Sequence, residues 1–174
     1  MLDAGGCSPL GIGWRARGVE DRKGVLMASI PPKLREFIDD LALLDRQDRM
    51  QVLIETSDRF EEVPARIATR PFAPGHLVPK CESQAYVWAE PTDGSLKFWF
   101  AVENPQGVSA RALAVLLDES LSGEDLETIA EASVDAVFEI FGRDITMGKG
   151  EGLTGMVSMV AAFGRERRAE LAAS

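Results

Sequence analysis

The 174-residue sequence predicts an α+β fold, a small antiparallel sheet with helices packed mainly on one of its faces. Three observations lead there. Two stretches rich in β-formers, SQAYVWAE and SLKFWFAV, flank the turn signal PTDG at residues 91–94. Apolar residues at helical spacing fill the segments before and after that pair. There is no strand–helix–strand alternation, which argues against a parallel nucleotide-binding sheet, and no internal repeat.

The first helix starts at Pro32, a residue suited to a first helical turn, and places Leu34, Phe37, Ile38, Leu41 and Leu44 at helical spacing. Asp45 caps a second helix on which Met50, Leu53, Ile54 and Phe60 repeat the stripe. The two are expected to form an antiparallel pair. Residues 63–79 hold four prolines, one glycine and little pattern, and are expected to be a loop long enough to suggest a role. In the hairpin Leu96, Phe98, Phe100 and Val102 share one face, and Lys97, Trp99 and Ala101 the other. The turn ENPQG leads to a segment that is apolar on nearly every side from Ala112 to Leu117, the pattern of a buried helix. SGEDLETI and SVDAVFEIFG are short capped helices, the second stopped by Gly142. A long closing helix is expected from Leu153, with Met156, Val157 and Val160 on one face. The basic stretch GRERR would end it, where positive charge suits a helix C-terminus.

An apolar fraction of 45% and a charged fraction of 27% are ordinary for one globular domain, placed at residues 27–174. The first 26 residues are Gly-rich and aperiodic and predict a disordered leader. They lack the apolar run of a signal peptide, and Met27 resembles a natural start, so the presence of residues 1–26 in the natural protein is left open. The net charge of −9 argues against nucleic-acid binding and against docking on an anionic membrane. No run approaches the ~18 apolar residues of a membrane span. Nine acids and one base, Arg111, lie between Glu103 and Glu139, which is either a solvated face or a docking surface for a basic partner. Two cysteines, one of them in the leader, make no disulfide framework and point to a reducing cytoplasm.

GKGEG, at residues 148–152, lacks the spacing of a phosphate-binding loop and the Ser or Thr after its lysine. His76 is the only histidine, and one cysteine beyond the leader does not supply the three or four soft ligands of a zinc or iron–sulfur site, so no metal and no cofactor is expected. Cys81 remains. Isolated cysteines are more often small buried hydrophobes than reactive groups. This one follows a Pro-rich loop; Lys80 and His76 lie close enough in sequence to favour a thiolate, and Glu82 opposes them. No triad assembles dependably, because His76 is five residues away on a loop. A thiolate without a base and an oxyanion site suits accepting and passing on an atom better than acyl chemistry.

VPKCESQAYVW resembles the active-site segment of SufE-type proteins, the Fe–S metabolism-associated domain, which runs roughly V-x-G-C-Q-S-Q-V-W. The stretch VENPQGVSARALAVLLDESLSGEDLETI is similar to that family's acidic residue, turn, buried helix and L-x-G-x-x-P-x-E-I segment. GLTGMVSMV resembles its G-L-x-x-M closing helix, so the similarity spans about Pro31 to Arg168. The resemblance implies a SufE/IscU-like fold and a sulfur-acceptor protein that assists an enzyme rather than acting as one alone. It implies Cys81 as the persulfide carrier, framed by Ser83 and Gln84, with Lys149 standing where the family has an arginine. The implied partners are a pyridoxal-phosphate-dependent, SufS-like cysteine desulfurase as donor and a SufB-like Fe–S scaffold as recipient; self-association as a homodimer is left open. The chain departs from the family pattern at Lys80 for glycine and Glu82 for glutamine. In DITMGKGEGL it has Asp144 for histidine, Met147 for proline and Lys149 for arginine, with Gly152 and Leu153 unchanged. Lysine keeps the charge but loses the bidentate fork. Three alternatives stand beside this reading: an interaction module using the acidic helical face, a thiol hydrolase using Cys81 and His76, and an Fe–S scaffold, which would carry three cysteines.

Overall fold

The computed structural model describes residues 29–174, so the expected leader, residues 1–26, lies outside the described residues. The fold is α+β. Helices α1 (Pro32–Ala42) and α2 (Arg46–Asp58) precede a hairpin of β1 (Ala85–Thr92) and β2 (Ser95–Val102). Helices α3 (Val108–Leu121), α4 (Leu126–Ala130), α5 (Asp135–Phe141) and α6 (Met147–Ala172) follow it. The strands pair antiparallel with Val87 opposite Phe100 and Trp88 opposite Trp99. Asp93 and Gly94 make the turn, and Gly94 supplies the positive φ of +75° that such a turn requires.

That register sends Leu96, Phe98, Phe100 and Val102 into the main core, as their alternation predicts. Helix α3 covers β2, helix α6 lies against β1, and α4 packs on α6. Every residue of α3 from Ala112 to Leu117 is buried, so its all-round apolar character reflects contact on every side.

A two-stranded hairpin does not hold itself together in water. Here its outer face is covered as well, by the segment from residue 63 to residue 79. The Val63 N–H donates to the Phe100 carbonyl (2.8 Å), and the Val78 N–H to the Ala85 carbonyl (2.8 Å). The segment therefore enters beside β2 and leaves beside β1, a strap across the hairpin. Phe72 in its middle packs on Tyr86 and Trp88, with ring centroids 5.1 and 5.2 Å apart, and Arg66 lies over Trp99 at 5.0 Å. The prolines and few apolar residues of this stretch thus help to build a second, smaller core with Val63, Phe72, Trp88 and Ala101 at its centre.

Three helical expectations are corrected. Helices α1 and α2 do not form an antiparallel pair: α2 packs along α3, whereas α1 packs against α5 and α3. The buried face of α2 is Leu53, Thr56 and Ser57, while Met50 and Ile54 are exposed. Thr56 and Ser57 are accommodated because their hydroxyls donate to the carbonyls of Val52 and Ile54 within the helix. Lastly, α6 begins at Met147, not Leu153, so GKGEG is its opening turns. The helix also runs on to Ala172, which leaves GRERR short of the terminus.

The acidic stretch from Glu103 to Glu139 is largely neutralised by bases from other elements. Glu103, Asp118, Glu119, Glu124 and Glu139 pair with Arg70, Lys97, Arg59, Lys33 and Arg35. Asp125 has a different task. Its carboxylate accepts from the backbone N–H of Thr128 (2.8 Å), capping α4, and also from the Thr128 hydroxyl. The backbone hydrogen bond, then the hydroxyl, hold its pKa below the ordinary aspartate value. Asp125→Ala should lower unfolding free energy by about 1 kcal/mol at neutral pH. A lowered folded pKa means this contribution is complete above the unfolded aspartate value of about 4 and is lost as pH falls through the folded value. Urea titrations of both proteins at pH 7 and pH 3 should show the gap narrow at the lower pH.

Candidate functional site

Cys81 is half-buried and packs against the main core where the strap turns into β1. Two features of the backbone place it. The Cys81 N–H points back at the Val78 carbonyl at 3.4 Å, closing a turn with Pro79 and Lys80 at its centre. Proline in the second position and a left-handed residue in the third, Lys80 at φ +57°, define a type II turn. Glycine is the residue that adopts this conformation without strain, which accounts physically for the glycine of the family pattern at this position. Immediately afterwards the Gln84 N–H donates to the Cys81 carbonyl (2.9 Å), and Gln84 is itself left-handed at φ +48°. The thiol thus sits between two non-glycine residues in a conformation that costs each of them of order 1 kcal/mol.

The surrounding structure holds those turns in place. Backbone N–H groups of Glu103 and Asn104 donate to the carbonyls of Gln84 and Ser83 (3.2 and 3.1 Å), clipping the turn to the end of β2. On the other side lies α6. A Cβ on Gly152 would stand 2.9 Å from the Cys81 Cα and 3.1 Å from its Sγ. One on Gly155 would stand 2.8 Å from Val78 Cγ1, and one on Gly148 would meet the Glu82 carboxylate. Residues 148, 152 and 155 share one helical face, so α6 presents a stripe without side chains along which the cysteine turn lies in direct contact. Lys80 Nζ reaches over the same helix to Glu151 at 3.0 Å.

The thiol forms part of the lining of a groove of about 260 Å3 walled by Met50 and Ile54 of α2, the first turn of α3, and Lys149 and Leu153 of α6. The structure therefore brings Cys81, Ser83 and Lys149 to one cleft. Gln84 is exposed and outside that lining; its contribution is through its backbone. His76 is engaged elsewhere. Its Nδ1–H donates to the Val87 carbonyl (2.9 Å), and its ring stacks on Trp88 of the strap-covered face at 5.1 Å. Among the described residues no group of three or more His, Cys, Asp or Glu side chains converges as a metal site would require.

Sequence reasoning missed two pairs of contributors: Gly152 and Gly155, the first of them in a stretch expected to precede the helix, and Met50 and Ile54, assigned to the core. For the glycines the signal was present in their spacing, but it becomes meaningful only once α6 is known to start at Met147.

Three outcomes test this geometry. Gly152→Ala gains helix propensity worth about 1 kcal/mol, yet its methyl meets backbone at Cys81. It should therefore be net destabilising by about 1–2 kcal/mol, with faster alkylation of Cys81 by iodoacetamide as the turn is pushed outward. Gly148→Ala, facing only the movable end of Glu82, should be neutral or stabilising in the same thermal melts. Lys80→Gly removes left-handed strain and loses an exposed ion pair worth about 0–1 kcal/mol, so stability should hold or rise by up to about 1 kcal/mol in urea titration.

Residues 35–163 match the family model described as the Fe-S metabolism associated domain, SufE. Two uncharacterized SufE-like proteins of Mycobacterium tuberculosis, from strains CDC 1551 / Oshkosh and H37Rv, are each 29% identical over 103 residues. The match covers 57% of this chain and 70% of theirs. The solution structure of a hypothetical protein from Thermus thermophilus superposes with a TM-score of 0.65 at 24% identity, covering 81% of this chain and 99% of that one, and so shares the fold. With the model matched over most of its length, this chain belongs to the SufE family of Fe-S metabolism associated domains.

Proposed function

We propose that this chain is a sulfur carrier for Fe–S cluster assembly, with Cys81 as the acceptor. The observation that carries the reading is the seat of the thiol. It is half-buried, at a solvent-open cleft, on a turn whose backbone is over-determined by β2 on one side and a bare helix face on the other. The Cys81 thiolate attacks the terminal sulfur of a persulfide held on a pyridoxal-phosphate-dependent cysteine desulfurase. A new S–S bond forms at Cys81 as the old one breaks, and the electron pair leaves on the donor's cysteine thiolate. The sulfane sulfur keeps its oxidation state, so the transfer needs no redox partner and no cofactor in the acceptor. The same exchange, run toward an assembly scaffold, unloads it.

The cleft suits the cargo as well as the transfer. Persulfides are consumed by stray thiols and oxidants. Met50, Ile54 and Leu153 surround the thiol with hydrocarbon, and Lys149 lines the same cleft as a cation for an anionic persulfide. A hydrolase reading has less support, because His76 is held against Trp88 by its bond to the Val87 carbonyl. A cysteine-independent role for the acidic face also loses ground, because five of its nine carboxylates are already ion-paired within the chain.

Incubation with a holo cysteine desulfurase and free cysteine should add one sulfur to the Cys81 peptide, read by mass spectrometry under non-reducing conditions. Cys81→Ser should abolish that gain and the stimulation of desulfurase turnover, while binding the desulfurase within about twofold of wild type, since a half-buried oxygen-for-sulfur exchange leaves the turn in place. Full stimulation by the serine variant would overturn the carrier reading.

A further inference from the structure

The exposed apolar side chains of this molecule are not scattered. Among the described residues six large hydrophobics stand exposed; Met50 (55%) and Ile54 (37%) line the cysteine cleft, and Leu43 (85%) and Met147 (82%) are chain neighbours of Leu44 and Thr146, which line the depression beside it. Isolated exposed hydrophobics are ordinary, but a cluster beside a reactive group marks a contact surface. The cleft at Cys81 runs, through the shared wall of Met50, Val108, Ser109 and Lys149, into a larger depression of about 640 Å3 floored by Leu53 and Ile140. Leu44, Arg46 and Arg49 line its far wall.

The charges of that depression differ from those of the rest of the surface. Elsewhere most bases are matched: Lys33, Arg35, Arg59, Arg66, Arg70, Lys80 and Lys97 each pair with a carboxylate, and Arg111 and Arg165 donate to backbone carbonyls. Around the depression, the Arg49 side chain donates to the Leu44 carbonyl (3.2 Å) and Arg46 pairs with Asp144 at 3.8 Å. Lys149 lines both cavities and has no ion pair among the described residues. On a chain of net charge −9, this depression is lined by three cations and one carboxylate, Asp144, and exposed apolar groups border it.

We infer that this depression is the docking surface for the sulfur donor, and that it receives an acidic segment of the donor carrying an apolar anchor. The inference rests on Cys81 being the acceptor. Carboxylates of that segment meet Arg49 and Lys149, and its apolar side chain lodges between Met50 and Ile54, where the unbranched methionine can mould around it. Apolar anchors in a pocket supply binding energy, and complementary rim charges fix orientation. Orientation matters here because the donor's persulfide must arrive in line with a thiol at the other end of the same cleft. A basic segment would face three cations against the single carboxylate of that depression.

The test uses the full chain and the purified holo cysteine desulfurase of the same cell. Arg49→Glu, and separately the double substitution Arg46→Glu with Arg49→Glu, both outside the lining of the cysteine cleft, should weaken desulfurase binding at least tenfold by calorimetry and slow persulfide loading in parallel. Loading of the same variants from glutathione persulfide, a donor too small to use the depression, should stay within twofold, which shows that the fold and the thiol are intact. Ser158→Glu, exposed on the opposite side of the cysteine turn, should bind like wild type. Groove variants that bind within twofold of a wild type that does load would overturn the docking site alone. So would loss of binding in Ser158→Glu instead, or sedimentation showing that the groove variants dissolve a dimer of this chain while desulfurase binding is unchanged. A wild type that neither binds the desulfurase nor gains sulfur would sink the acceptor reading, and the docking site with it.

Discussion

Much of this structure depends on how closely a helix can approach a turn. Two left-handed residues flank Cys81, and a turn of that kind persists only where neighbours leave it no alternative. Helix α6 provides that confinement because Gly152 and Gly155 remove the side chains that would otherwise hold helix and turn apart. The strap fixes the turn's entry through Val78, and β2 fixes its exit through Glu103 and Asn104. The position of one sulfur atom is therefore set by three segments that are distant in sequence and have no catalytic residue among them.

How much of this was legible in the sequence varied with the kind of signal. The hairpin and its partition of Phe98 and Phe100 from Trp99 follow from a period of two, and the Asp45 cap from local hydrogen bonding. All of these are short-range and survive any tertiary context. The stripe on α2 failed because apolar periodicity marks a face that is to be covered, without saying by what. Leu53 meets this chain's own core, while Met50 and Ile54 are left at the cleft. The start of α6 failed because glycine is a poor helix former and GKGEG carries the signature of a loop. Contact with the cysteine turn outweighs that propensity. Cys81 itself was legible as the candidate by elimination and by resemblance to a known segment. Its confinement was not, because the confining atoms are about seventy residues further along the chain.

The charge distribution has the same two-level character. Composition shows only an excess of acid, but pairing shows where it is spent. Bidentate pairs such as Arg66 with Glu90 and Arg35 with Glu139 hold those carboxylates below the usual range, chiefly through the arginine hydrogen bonds. They join the strap to β1 and α1 to α5. Beside the thiol, three cations line one depression against a single carboxylate, which inverts the impression left by the net charge.

The bare face of α6 has one more consequence. Glycines at 148, 150, 152 and 155 make the opening turns of this helix its least cohesive part, each conceding roughly 1 kcal/mol to an alanine. Thr146 offers no side-chain cap to offset it. The remainder of the helix, anchored by Met156, Val157 and Val160, carries a single glycine, Gly164. Partial unravelling is therefore cheapest at the turns that press on the cysteine, so the confining wall is also the part of the molecule most easily lent to a visitor.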